Sequence, residues 1–168
     1  MPEKETLQRA EQDKKEGKSP STQAGEFVRE EIHHIREGKH GARSTKQAIA
    51  IGLSKARRAG VKLEVPKKGK ASSSTRKQAA RDLRKAKTSP TKISAKRSRA
   101  VSNKLKREGR SAASPQNLSR QARSASRKRT SAERHQAAMK AVQTKGSSGR
   151  KQAAKKAAKT RSAHRRAA

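Results

Sequence analysis

Val, Ile, Leu, Met and Phe occupy nineteen of the 168 positions, and ten of those lie between residues 26 and 65. Within that window the spacing is helical. Val28, Ile32 and Ile35 recur at i, i+4 and i+7 with Phe27 beside them, which predicts one apolar face on a helix over about 23–37. Ser19-Pro20 upstream suits a cap followed by proline in the first turn. Glu26, Glu30 and Glu31 precede Arg36, as the helix dipole favours, and Gly38 and Gly41 end the pattern. A second helix is predicted from Ser44, where Ser44 and Gln47 have capping-box spacing. Ile49, Leu53 and Ala56 form its stripe, Gly52 leaves room for a neighbouring helix, and Gly60 follows a basic last turn as a stop signal. Val61, Leu63 and Val65 then alternate with Lys62 and Glu64 up to Pro66, which reads as a short extended segment. Residues 23–65 are thus expected to form a helical hairpin with a short extended segment.

Outside the window the apolar pattern thins. Residues 66–168 contain seven large apolar side chains, scattered among Lys, Arg, Ala and Ser. Helix-start signals persist at Thr75–Gln78, Ser114-Pro115 and Thr130–Glu133, and His135, Met139 and Val142 share one helical face. Short isolated helices are marginal in water, so this region is expected to be a basic low-complexity tail with transient helices. Residues 1–22 are charged on all sides and read as a disordered or marginally helical leader. The fold class that follows is all-α, a small helical hairpin followed by a long, largely disordered or transiently helical polycationic tail.

Charge sharpens that division. Residues 1–40 carry nine acids and eight Lys/Arg, whereas 41–168 carry four acids and thirty-nine Lys/Arg, within a net +34. Leu, Ile, Val and Phe make up about 10% of the chain, against the roughly 20% below which high net charge points to disorder. There is no cysteine, which excludes disulfides and thiolate metal sites. The N-terminus has no apolar signal region and no run is long enough to span a bilayer, so a cytoplasmic protein with no membrane partner is expected.

A basic excess of this size points to a polyanion. The candidate phosphate-contacting residues are Arg57, Arg58, Lys67, Lys68, Lys92, Lys96, Arg97, Arg99, Lys104, Lys106, Arg107, Arg110, Arg127, Lys128, Arg129, Lys155, Lys156, Arg165 and Arg166. With no Trp, no Tyr and one Phe, stacking platforms for unpaired bases are lacking, so duplex DNA is favoured over single strands, with RNA possible. Phosphate contacts do not read sequence, so binding is expected to tolerate sequence. Ser89-Pro90-Thr91-Lys92 resembles the Ser-Pro-x-Lys elements of linker-histone tails, and equally reads as a helix cap with proline after it. Residues 45–59 can be read as a recognition helix after 27–37, but the seven-residue connection is long for a helix-turn-helix and a plain hairpin is preferred.

Other chemistries find less support. His33, His34 and His40 cluster in sequence, and Glu30/His34 and His33/Glu37 are spaced four apart, but adjacent His33 and His34 point about 100° apart and the His-Glu-x-x-His arrangement is absent. No metal and no cofactor is expected. No phosphate-cradling glycine loop, nucleophile elbow or Ser-His-acid set is present, so no enzymatic activity is expected either. Ten apolar residues in one hairpin also leave self-association through 26–65 open.

The stretch RSTKQAIAIGLSKARRAG beginning at Arg43, preceded by EFVREEIHHIREGKHG, resembles a family of small basic bacterial proteins labelled as a domain of unknown function. The likeness rests on Gln47, Ala48, Ile49, Ala50, Ile51, Leu53, Ser54, Ala56 and Arg57, and residues 96–129 resemble the basic extensions of longer members. The tail resembles linker-histone-like Lys/Ala-rich nucleoid proteins in composition. The resemblance implies a bacterial source, and with the charge pattern the expectation is a non-enzymatic, histone-like, nucleoid-associated DNA-binding protein. A basic RNA- or ribosome-associated protein, or a disordered stress-related protein, is the alternative.

Overall fold

A computed structural model describes residues 2–88 and 94–166. Its elements are α1 (Lys4–Lys15), α2 (Pro20–Arg36), α3 (Thr45–Arg58), α4 (Ser73–Lys87), α5 (Ala95–Lys106), a 3-10 turn (Ser111–Ala113), α6 (Pro115–Arg127) and α7 (Ser131–Arg166). Two compact units are separated after Gln121, inside α6.

The expected hairpin is present. Helices α2 and α3 make the most extensive helix–helix contact in the first unit. Gly52 permits it, because a Cβ there would lie 2.7 Å from Val28 Cα and 3.0 Å from the Phe27 carbonyl oxygen. Ser44 Oγ accepts the Gln47 N–H at 3.2 Å, while the Gln47 side chain accepts the Arg43 N–H at 2.8 Å, one residue beyond the N-cap N–H of a standard capping box. Beyond α3 no strand forms among the described residues, but Val61 is buried and Leu63 packs on the same cluster, so the segment does fold back over the helices.

The expected disordered tail is overturned. Four further α-helices and the 3-10 turn follow the hairpin, and part of this region completes the core. One cluster joins Ile32, Ile35, Ala42 and Ala48 to Ala112 and Ala113, with Val28 and Leu118 against it. The segment is held by backbone bonds from Gly41 N–H to the Leu105 carbonyl (2.8 Å) and from Ala42 N–H to the Gly109 carbonyl (3.1 Å). Thr45 Oγ1–H donates to the Ala112 carbonyl at 2.7 Å, and Arg36 Nε–H to the Ala113 carbonyl at 3.0 Å. Counting large apolar residues misses this packing because it is made with alanine methyls and polar caps.

A second cluster contains Ala10, Ala24, Phe27, Ala56 and Val61. Its Ala10 comes from the region expected to be a leader. Helix α1 buries Thr6, Ala10 and Asp13, and ionic bonds hold it to α2. Arg9 Nε lies 2.7 Å from Glu26 Oε2, and the Glu3 backbone N–H donates to Glu30 Oε2 at 3.0 Å. On the other side of the hairpin α4 packs on α3 through Asp82, which is 1% exposed. Ser54, Arg58 and Gln78 all donate to its carboxylate, at 2.7, 2.9 and 3.0 Å. The chain's own segments therefore cover much of the face that 26–65 offered to a second hairpin. Helix α4 begins at Ser73 with Ser72 as its cap, three residues before the expected Thr75.

The second unit contains the end of α6 and the whole of α7, in which two helical stretches meet at Gly146 (φ 61°). Its start is a reciprocal capping box, with Thr130 Oγ1 accepting the Glu133 N–H at 3.2 Å and Glu133 Oε2 accepting the Thr130 N–H at 2.9 Å. Met139 and Val142, expected on one face, are exposed. An apolar stripe is thus not what makes α7 helical. Its Ala, Lys, Arg and Gln content has high intrinsic helix propensity, and the cap sets its start.

Candidate nucleic-acid interface

The structure sorts the candidate cations by the neighbours it gives them. Arg57 is buried, and its Nε has no hydrogen-bond partner. Burial holds its guanidinium below the ordinary arginine value, and the charge of Asp82 offsets part of that. Arg57 is therefore mostly engaged in the packing of α3. Arg58 is half-exposed but ion-paired to Asp82 at 2.9 Å. A recognition role for α3 loses support in the same way. Lys55, in its last turn, lies 2.9 Å from Glu30 Oε1 and 2.8 Å from Glu31 Oε2, and both carboxyl groups are buried.

The remaining candidates are differently placed. Lys67 and Lys68 are exposed in the loop before α4. Helix α5 buries none of its residues, so Lys96, Arg97, Arg99, Lys104 and Lys106 stand in solvent. Its last turn is nonetheless fixed, because the Leu105 and Gly109 carbonyls are bonded to the loop between α2 and α3. Lys104, Lys106, Arg107 and Arg110 are therefore displayed from anchored backbone, which lowers the entropy lost when they bind. In the second unit Arg127, Lys128, Arg129, Lys155, Lys156 and Arg165 are exposed. Arg166 ends α7, and Lys92 lies outside the described residues.

Two arginines outside the candidates above belong with this set. Arg120 and Arg123 are exposed on α6 and share a stripe with Arg127 at i, i+3 and i+7. The signal is visible in the sequence, but only once helical spacing is applied to charges as well as to apolar residues.

The acids are committed elsewhere. Glu3, Glu5, Glu26, Glu30, Glu31 and Asp82 pair with partners inside the folded first unit. Hydrogen bonds from His34 and Lys39 hold the Glu3 carboxyl below the usual carboxylate value. For Glu30, burial pushes upward, but bonds from Lys55, the Glu3 N–H and Thr6 outweigh it and the net shift is downward. For Lys55, burial pushes downward, but Glu31 and Glu30 outweigh it and the net shift is upward. Five of the thirteen acids, Glu3, Glu26, Glu30, Glu31 and Asp82, thus tie α1, α2, α3 and α4 to one another or to their flanking segments, while the basic excess beyond the hairpin faces solvent.

Residues 11–70 match a family of unknown function, DUF6496. The matched segment takes in α2, α3 and the last turn and a half of α1, and includes the stretch on which the resemblance rests. It stops short of α4–α7, where most of the exposed cations lie. No curated protein and no solved structure matches the chain. Among the described residues no helix is long and apolar enough to cross a membrane.

Proposed function

We propose that the chain is a non-enzymatic, sequence-tolerant DNA-binding protein that acts by neutralising phosphates, with a histone-like role on the bacterial nucleoid. The observation that carries this reading is the separation of charge: carboxylates are consumed within the α1–α4 core, while Lys and Arg on α5, α6 and α7 are exposed. Each phosphate neutralised on duplex DNA releases condensed counterions, so the affinity is electrostatic and falls steeply with salt. Helical backbone displays the cations at fixed spacing, so they need less ordering on contact than they would on a flexible tail. With one aromatic ring among Phe, Trp and Tyr in the whole chain, and that ring, Phe27, buried, stacking on unpaired bases contributes little.

The test is a salt series of gel shifts with mixed-sequence duplex DNA, single strands and structured RNA. Duplex preference with a steep salt dependence and little dependence on base sequence is the expected result. Equal or tighter binding to structured RNA would transfer the role to an RNA- or ribosome-associated one. Absence of binding at about 0.15 M salt, where the Debye length is about 8 Å, would refute both readings.

A further inference from the structure

The acid-histidine chemistry of α2 has a partner that helical spacing alone does not find. Glu31 and His34 are three apart on α2 and so share a face, and the turn after the helix brings His40 back to them. One ligand atom from each of Glu31, His34 and His40 lies within 4.8 Å of the other two. Glu31 is fully buried, His34 and His40 mostly so.

The hydrogen bonds around the three side chains leave a gap that a cation fits. His40 Nδ1 is 3.1 Å from the Gly41 carbonyl, which can only accept, so Nδ1 carries a hydrogen. In the neutral ring Nε2 then presents a lone pair to Glu31 Oε1, 3.4 Å away. Two acceptors face each other. Glu31 Oε1 receives no hydrogen bond, whereas Oε2 has Lys55 Nζ 2.8 Å away as its ion-pair partner. A buried carboxylate oxygen that lacks a donor is costly, and a cation beside it relieves that cost. Lys55 is also shared with Glu30, which leaves the buried pair of carboxylates with more negative charge than one ammonium balances.

We propose that Glu31, His34 and His40 form a binding site for a divalent transition-metal ion of the zinc class. Two imidazoles and one carboxylate are a donor set that zinc, cobalt and nickel accept and that calcium and magnesium disfavour. Ligands about 2.0–2.2 Å from one tetrahedral ion sit roughly 3.3–3.6 Å from each other, so the Glu31–His40 separation already fits. His34 needs to close by about an ångström, which a side-chain rotation supplies. Its Nε2 is 2.8 Å from Glu3 Oε1, and a carboxylate bonded to a liganding histidine orients the ring and raises its basicity. With three protein ligands, one position remains for water or an outside ligand.

Calorimetric titration of the untagged full chain with zinc chloride tests this, with cobalt absorption as a second readout of coordination. One ion per chain is expected. His40→Ala and His34→Gln should each weaken binding at least tenfold, since loss of even an orienting neighbour costs about that much. His33→Ala, exposed on the same helix and outside the cluster, should leave affinity and stoichiometry unchanged. Far-ultraviolet circular dichroism of each variant separates loss of ligand from loss of fold, and His34→Gln serves if His40→Ala does not fold. Absence of zinc and cobalt binding by the wild-type chain would overturn the proposal. Binding that survives both substitutions, or that falls equally with His33→Ala, would also overturn it.

Discussion

Asp82→Ala removes the carboxylate that docks α4 on α3. Three donors converge on this side chain, from Ser54 at 2.7 Å, Arg58 at 2.9 Å and Gln78 at 3.0 Å. A hydrogen bond to a charged group contributes about 1.5–3 kcal/mol net, but Arg58 is half-exposed and recovers hydration, so its share is at the low end. Ser54 and Gln78 are partly buried and recover less. The buried Arg57 also loses the nearby negative charge that offsets its burial. Together these give an expected loss of about 2–4 kcal/mol for Asp82→Ala. Asp82→Asn keeps the volume and one acceptor oxygen, and about half that loss is expected. Urea unfolding followed by circular dichroism measures the change, with the slope m unaltered if only stability moves. Hydrogen exchange locates it, with protection lost first across Ser73–Lys87. An Asp82→Ala chain within about 0.5 kcal/mol of wild type, at unchanged m, would refute the claim that this carboxylate anchors the helix.

Three further outcomes follow from the same packing. Gly52→Val places a side chain against the backbone of α2, where even a Cβ lies 2.7 Å from Val28 Cα, and should cost at least about 1–3 kcal/mol in a urea titration. The folded Glu30 carboxyl is held below its ordinary value of about 4.3, so its contribution is present above that pH and is lost as pH falls through the lower folded value. The folded Lys55 ammonium is held above its ordinary value of about 10.4, so its contribution is present below that pH and is lost as pH rises through the higher folded value. Midpoints of thermal unfolding should therefore fall on both the acid and alkaline sides, and Lys55→Met should flatten the alkaline limb. Thr45→Val is nearly isosteric but leaves the buried Ala112 carbonyl without its hydroxyl donor, so a loss of about 1–3 kcal/mol is expected in chemical denaturation.

The hairpin was legible because its apolar residues repeat at helical spacing and its ends have local signals, such as Ser44 and Gly60. Thr130 with Glu133 was legible for the same reason, since a capping box lies within four residues. What encloses the hairpin was not. Helix α1 docks through Arg9–Glu26 and the Glu3–Glu30 bond with only Ala10 as its buried apolar residue, and such pairs leave no hydrophobic period. The packing of Ala112 and Ala113 on Ile32 and Ile35 spans more than seventy positions and is made with methyl groups, which a count of large apolar residues excludes. Asp82 in a strongly basic stretch looks like an isolated surface acid until α4 folds back on α3. The candidate interface was only partly legible, because nothing local distinguishes Arg57, which is buried, from the exposed arginines. Likewise, Glu31 and His40 are brought together by a turn that the residue pattern does not define.

If the exposed cations of α6, α7 and the turn between them are the agents of phosphate neutralisation, the salt dependence of duplex binding measures their action directly. Fluorescence anisotropy of the full chain on mixed-sequence duplex DNA gives the slope of log K against log salt, about −0.9 per phosphate neutralised. Replacing Arg127, Lys128, Arg129, Lys155 and Lys156 with glutamine should make that slope shallower by about one for each phosphate left unneutralised, whereas replacing Lys4 and Lys14 of α1 should leave it unchanged. An unchanged slope in the fivefold variant, or equal flattening in the α1 variant, would contradict phosphate neutralisation by these helices.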